Sequence, residues 1–397
     1  MRTAPLVPVS WRYGLPNLPP EQALHRRLWW HSRYKLPWLF WLPLEVLRWV
    51  NWQLFQADAR VQRAVRANSQ RILTLTGISE IQQQQAIRHW AKAWCIDPFL
   101  AYEWGLFRHD ADALGKIYPA QNIAFHAVMN QKTGASRADH RRLADKVALT
   151  KALGTIGLPM APIAACSQGE WRDLETALDQ HPALFCKQRQ GSRGEGAFAV
   201  WRNAAGLAGQ SYERGVLADT VAVQNAWLAL VDKGEVLIQP LLQNHSSLAP
   251  AVPSATVMTL RMVTRKVDQR IVPFWACLQV PEAPGNADED SGVWPFPVNP
   301  QTGNVSRADS SAWPDAWLPR YNAIWQTLSG QAELPFWPQI LENSLKAHAT
   351  MPGLWAIAWD WVITPDGPVL LEGNSGWGLD EVQNQGFDLV LIAKLAG

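Results

Sequence analysis

The 397-residue chain is 48% hydrophobic and 18% charged, the composition of a folded protein large enough for two or three domains rather than of a disordered one. Its 36 Lys and Arg against 34 Asp and Glu leave a net charge of +2, which argues neither for nucleic acid nor for an acidic partner. The four cysteines, Cys95, Cys166, Cys186 and Cys277, are dispersed and form no CxxC pair, which speaks against a disulfide framework or zinc site and for reduced thiols in the cytoplasm.

The first twenty residues hold no apolar core of signal-peptide length. The longest uncharged apolar run, Leu36 to Leu44 ("LPWLFWLPL"), is nine residues broken by two prolines, where a membrane span needs about 20. Residues 1–135 are expected to be mainly helical, because stretches such as "LEVLRWVNWQLFQADARVQRAVRANSQRIL" place apolar residues three and four apart. Six of the 23 tryptophans fall between Trp29 and Trp52. In "RRLWWHSRYKLPWLFWLPLEVLRW" five of them are mixed with Arg and Lys. One reading packs them into the region's own core or a dimer contact; another docks residues 28–52 on a membrane surface.

From Asp145 the texture changes. "ADKVALTKALGTIGLPMAP" predicts a helix capped by Asp145 and ending near Gly157, with Lys146 in its first turn. Short β-rich runs come next: "ALFCKQ", "AFAVW", "EVLIQPLL", "TVMTLRMVT" and "RIVPFWACLQV". Between the first two, "FCKQRQGSRGEGAFAVW" reads as strand, glycine-rich loop, strand. Glycines let backbone N–H groups turn onto phosphate oxygens, and Lys187 at the strand end adds a point charge. No GK[ST] follows, so this is not a Walker A loop, and no helix follows Gly196, so it is not a dinucleotide fingerprint. Pro281 to Asn304 is expected to be a long polar loop, with Asp288, Glu289 and Asp290 as solvated acids.

The chain closes on "WAIAWDWVITPDGPVLLEGNSGWG". A hairpin with a three-residue loop, Pro365 to Gly367, pairs Thr364 with Pro368 and sets Asp360 directly opposite Glu372, with Asn374 on the same face. Like charges opposed across strands repel. A hard cation such as Mg²⁺ turns that repulsion into coordination, completing its shell with phosphates.

This order of parts resembles the ATP-grasp superfamily: the "DK…GLPMAP" helix, the "K…GSxGxG" loop, the "VLIQPLL" strand, the Arg of "TLRMVT" and the final "D…EGN" hairpin. "GSRGEG" and the D-x11-E-x-N spacing are similar to the ribosomal-protein glutamate ligases. "IDPFLAYEWGLF", "IQPLLQNHSSLAPAVPSATVMTLRMVT" and "WDWVITPDGPVLLEGNSGWG" resemble the sugar-transfer-associated ATP-grasp family. The resemblance covers roughly residues 95 to 390. It implies an α+β ATP-grasp fold, two α+β subdomains clasping ATP (136–245 and 246–397), preceded by the helical, Trp-rich region 1–135. It further implies ATP and Mg²⁺ (or Mn²⁺) as cofactors. Lys146 and Lys187 would contact phosphates under a loop containing Ser192, Gly194 and Gly196. Gln239, Leu241 and Leu242 would meet adenine, Arg261 the transferred phosphoryl group, and Asp360, Glu372 and Asn374 the metal. Pro240 replaces a usual acid and Met258 a usual Asn; His245 matches a histidine of the sugar-transfer-associated family. The implied activity is an ATP-dependent carboxylate–amine ligase acting through an acyl phosphate on a small-molecule or glycan-linked acceptor, in cell-envelope or polysaccharide biosynthesis, in the cytoplasm or at the inner membrane surface. The alternatives are phosphotransfer to a hydroxyl or sugar, and a nucleotide-binding scaffold at the membrane.

Overall fold

The computed structural model describes residues 7–33, 38–108, 113–190, 195–211, 215–252, 256–281, 293–308, 317–330, 333–384, 386–389 and 392–393. They divide into two compact units, one drawn from 1–132, 309–318 and 378–397, the other from 133–308 and 319–377.

The first unit is helical. It contains α1 (Pro20–Arg33), α2 (Trp38–Asn51), α3 (Ala57–Thr76), α4 (Glu80–Trp94), α5 (Pro98–Glu103) and α6 (Asn122–Thr133), with a π-helical turn, Trp52–Gln56, joining α2 to α3. Sequence punctuation sets the ends. Gly77 takes φ +74° and returns its N–H to the Leu73 carbonyl, closing α3. Ser79 opens α4 in a reciprocal capping box with Gln82. Asp97 caps α5 ahead of Pro98. The core gathers Trp29, Trp52, Val61, Val65, Ile72 and Ile87, and the buried Trp52 indole donates to the Ala91 carbonyl at 2.8 Å.

The Trp-rich segment therefore divides. Trp29 and Trp52 are core, whereas Trp30, Leu42, Val46, Leu47, Val50, Leu54 and Phe55 are exposed. Among the described residues no helix is long and apolar enough to cross a membrane.

The second unit carries two antiparallel sheets and the helices that back them. Its elements are α7 (Arg137–Ala144), α8 (Lys146–Gly154), β1 (Ala165–Ser167), α9 (Trp171–Gln180), β2 (Ala183–Gln188), β3 (Phe198–Asn203), β4 (Gly206–Ser211), β5 (Gly215–Leu217), α10 (Thr220–Val231), β6 (Val236–Pro240), β7 (Thr259–Val267), β8 (Arg270–Pro281), β9 (Val293–Val298), α11 (Leu318–Leu328), α12 (Trp337–Ala349), β10 (Ala356–Thr364) and β11 (Gly367–Asn374). The first sheet runs β1-β6-β2-β3-β4-β5 and the second β11-β10-β7-β8-β9. The chain is thus a mixed α+β protein with a helical N-terminal region.

The segment after α8 ties the two sheets together. Pro159 and Ala161 exchange hydrogen bonds with Leu370 of β11 (2.7 and 2.9 Å), and Ala164 donates to Ile238 of β6 (2.9 Å) before β1 pairs with β6. On the face of the second sheet that packs on α12, Trp359 donates to the Thr264 hydroxyl (3.0 Å) and Trp361 to that of Ser344 (3.0 Å). Thr264 in turn meets Nδ1 of the fully buried His348 (2.8 Å).

Part of the expected Pro281 to Asn304 loop is strand. "VWPFPV" forms β9, paired with β8. Pro295 and Pro297 fit there because β9 is the edge of the sheet, where a missing N–H breaks no ladder. Asp288, Glu289 and Asp290 lie outside the described residues. After β11 the chain enters α13 (Asp380–Asn384), which groups with the N-terminal helices rather than with the sheet. There Gln383 donates to the Ile117 carbonyl (3.0 Å) and accepts from Lys116 through its own carbonyl (2.8 Å).

Candidate active site

The β10–β11 hairpin turns in two residues, not three. Thr364 pairs with Gly367, whose φ of +135° suits glycine, and Pro365–Asp366 form the loop. This shorter turn shifts the first four pairs by one position, down to Trp361 opposite Leu370. Leu371 then bulges out of β11, and the ladder resumes with Asp360 opposite Glu372. The expected opposition of the two acids is present, reached through a turn and a bulge that cancel.

Asp360 is buried and Glu372 half-buried. The Asn374 amide bridges them, donating from Nδ2 to Asp360 Oδ2 (3.1 Å) and Glu372 Oε1 (3.2 Å). Across β10 on the other side, Arg261 of β7 sits directly opposite Asp360 and forks onto it, Nε to Oδ1 at 2.9 Å and Nη2 to Oδ2 at 3.0 Å. Burial pushes the Asp360 carboxyl above the ordinary range, against the pull of Arg261.

Gly373, between the acid and the amide, cannot carry a side chain. A Cβ there would lie 2.6 Å from the Trp359 ring and 2.8 Å from Leu143 of α7. The spacing E-G-N therefore has a packing cause on the far face as well as a polar one on the near face.

Two lysines converge on this face from other elements. Asp145 caps α8 by accepting from Val147 and Ala148, which places buried Lys146 in the first turn with Nζ 3.4 Å from Glu372 Oε2. Lys187 ends β2. Burial lowers its pKa to about 8, with Glu372 and Asp360 pulling it up and Lys146 pushing it down. Lys146, Lys187 and Arg261 thus face Asp360 and Glu372, three cations against two carboxylates, an excess of positive charge suited to phosphates.

An ion-pair network that sequence reasoning missed holds this arrangement. Arg189, two residues past Lys187, forks onto Asp145 (2.7 and 3.0 Å) and reaches Glu235 beside β6 (2.9 Å). Arg189 and the helix N–H groups hold the Asp145 carboxyl below its usual range. Its partners lie 44 and 46 residues away, so only the D-K and K-Q-R contexts hint at it. Arg265, also missed, lies on the same face of β7 as Arg261, four residues on. Its guanidinium sits 4.9 Å over the Phe274 ring and makes no ion pair among the described residues, with Nε buried and lacking an acceptor.

The other expected site residues are placed less centrally. Gln239 is buried and donates to the Pro162 carbonyl (3.3 Å). The Leu241 N–H is engaged by the Ala183 carbonyl (3.0 Å), and Leu242 is half-buried. Gly196 turns into β3 with φ +73°; Ser192 and Gly194 lie outside the described residues. His245 donates its backbone N–H to Ile363 (2.7 Å), pairs Nδ1 with the Ser247 hydroxyl (2.9 Å) and sets its ring edge-on to Phe336. Those contacts cap a turn rather than join the acidic face. Met258 is buried, and its N–H goes to the side chain of Asn244.

The donor set fits a hard divalent cation: two carboxylates and an amide, all oxygen-bearing, on a polar face beside cationic groups. Among the described residues no cluster of three or more His, Cys, Asp or Glu forms, so phosphate and water oxygens would complete the shell.

A mixed α+β body with this paired-sheet layout and a preceding helical region is an ATP-grasp fold. A family model of sugar-transfer associated ATP-grasp proteins matches residues 122–389, more than half the chain, and the chain belongs to that family. No curated protein matches it closely in sequence. Among solved structures it is similar to N5-carboxyaminoimidazole synthase from Aspergillus clavatus in complex with ADP and 5-aminoimidazole ribonucleotide (15% identity, TM-score 0.35, covering 61% of this chain and 46% of that one). It is also similar to D-alanyl-alanine synthetase A from Vibrio cholerae (12%, TM-score 0.39, 66% and 66%) and to a biotin carboxylase–ATP complex from Campylobacter jejuni (11%, TM-score 0.41, 66% and 48%). The chain thus spans between about half and two-thirds of the length of these structures.

Proposed function

We propose that this chain is an ATP- and Mg²⁺-dependent ligase that phosphorylates an acceptor carboxylate and joins the acyl group to an amine. The observation that carries the reading is the convergence of Lys146, Lys187 and Arg261 on Asp360, Glu372 and Asn374 from separate stretches of chain. Lys187, with a pKa near 8, is mainly protonated at neutral pH and with Lys146 holds the nucleotide phosphates. Ser192, Gly194 and Gly196 are assigned to the same phosphates, and the stretch from Gln239 to Leu242 to the adenine.

Asp360, Glu372 and Asn374 would hold Mg²⁺, which when bound neutralises charge on the phosphates. Arg261 loosens its fork on Asp360 to neutralise the transferring phosphoryl group. A carboxylate oxygen of the acceptor attacks the γ-phosphorus and ADP leaves. The amine then adds to the acyl carbon, and inorganic phosphate departs carrying one former carboxylate oxygen. Arg265, about 13 Å along the strand from Arg261, is the group we assign to an anionic end of the acceptor. The family description, sugar-transfer associated, supports an acceptor in polysaccharide or cell-envelope synthesis.

The test is ¹⁸O tracing from labelled acceptor carboxylates during turnover. Label in inorganic phosphate supports the ligase. ADP formation with the phosphate retained on the acceptor, and no free phosphate, refutes it in favour of phosphotransfer.

A further inference from the structure

The helical unit contains a cavity of about 620 Å³, within the range of roughly 300–1,000 Å³ typical of ligand pockets. Five indoles line it: Trp11, Trp29, Trp30, Trp41 and Trp49. Two of its polar side chains are already engaged, while the buried Trp49 indole N–H finds no acceptor among the described residues. Glu45 accepts from the Val9 N–H (3.1 Å) and from Arg48 (2.9 Å), and the Ser10 hydroxyl donates to the Ala93 carbonyl (2.8 Å). A sugar or nucleotide would bring several hydroxyls into a wall built mainly of indole rings and find too few partners for them, at a cost in desolvation. A hydrocarbon brings none.

The cavity is continuous with an exposed apolar stripe. Leu42 and Val46 belong to its lining and to the surface, and Val50 and Leu54 continue the row at four-residue spacing. Single exposed apolar residues need no explanation, but a stripe that runs out of an aromatic cavity does. At the rim the cation is Arg26, exposed, its hydrogen bond among the described residues a long 3.4 Å contact to the Leu15 carbonyl. We infer that this cavity takes one hydrocarbon chain of an anionic amphiphile, the chain entering along the stripe and the head group resting at Arg26. The cavity shares no residue with the candidate nucleotide site and stands whether or not that reading does.

The full-length protein is titrated with 11-(dansylamino)undecanoic acid, read by energy transfer from tryptophan. Saturable one-to-one binding is expected. Val46→Asp, which puts a charge in the wall at an already exposed position, should weaken it by about ten-fold or more. Val46→Phe, which fills space without charge, should weaken it too. Leu75→Asp, an exposed apolar position outside the cavity, should leave it unchanged. The matching alcohol should bind more weakly than the acid, and Arg26→Gln should erase that difference. Equal affinity in wild type and both Val46 variants, or equal losses at Val46 and Leu75, overturns the site. Equal binding of acid and alcohol to wild type overturns the anionic head group. Phosphatidylglycerol vesicles identify the source: co-sedimentation lost in Val46→Asp marks a bilayer lipid, and probe binding without co-sedimentation marks a free amphiphile.

Discussion

Acid should loosen the second sheet through a single histidine. His348 is fully buried under β7 and β10, and its two ring nitrogens have distinct partners. The Leu354 carbonyl, 3.1 Å from Nε2, can only accept, so Nε2 carries the proton and Nδ1 accepts from the Thr264 hydroxyl. Thr264 accepts in turn from the Trp359 indole. A second proton on Nδ1 would face a hydroxyl already receiving one hydrogen bond, in a site that burial makes hostile to charge. Burial accordingly lowers the His348 pKa from 6.5 to about 4.

A folded pKa below the unfolded one stabilises the protein above about pH 6.5 and loses that stabilisation as pH falls toward 4. The whole difference corresponds to about 3 kcal/mol, of which about 2 kcal/mol is gone by pH 5. With a urea slope near 2 kcal/mol per molar, the midpoint should fall by about 1 M on this account. The assay is urea unfolding at pH 7.5, 6 and 5 for wild type and His348→Gln, which cannot titrate. The stability advantage of wild type over the variant should shrink by about 2 kcal/mol between pH 7.5 and 5. An advantage that stays constant with pH refutes the assignment.

The candidate site yields four more expected outcomes. Gly373→Ala should lower stability by about 1–3 kcal/mol in thermal or urea unfolding, because its methyl group meets Trp359 and Leu143; wild-type stability would mean those neighbours move freely. Lys187→Met should weaken ATP binding by calorimetry about ten-fold or more while the melting curve holds, since volume is kept and one phosphate charge is lost. Glu372→Gln should remain folded but lose most of the Mg²⁺-dependent increment in ATP affinity, and an unchanged increment would remove Glu372 from the metal site. Arg265→Gln should raise acceptor KM more than it lowers kcat and leave ATP affinity alone; an equal fall in ATP affinity would place Arg265 at the nucleotide instead.

Much of the second unit is legible in the sequence because its strands carry their own apolar alternation. "ALFCKQ" is β2 residue for residue, and "RIVPFWACLQV" is β8 short of its last proline. The Asp145 cap is equally local, since its donors lie within three residues. The bulge at Leu371 is not legible: it follows another leucine, and either could continue the alternation. β9 is hidden because prolines signal a loop unless the strand is known to be an edge, which is a property of the sheet and not of the segment. The fork of Arg261 onto Asp360 spans 99 residues. Both side chains could be assigned to one site from sequence, but that they neutralise each other there depends on which strand lies beside which. The Trp-rich helices carry the same ambiguity, since an indole facing the core and one facing a cavity leave the same mark on the sequence.

The backbone stretch from Pro159 to Ser167 has a consequence for dissecting the protein. It precedes β2 in the chain, yet one end is hydrogen-bonded to β11, the last strand of the unit, while the other is a strand of the first sheet. Lys146, just upstream, likewise finds its carboxylate on β11. The two sheets are therefore dovetailed rather than strung in series. A cut near residue 245 would strand pieces of each jaw in the other's half. Co-expressed halves should regain structure only by complementation, as one joint closing, and neither half alone should melt cooperatively.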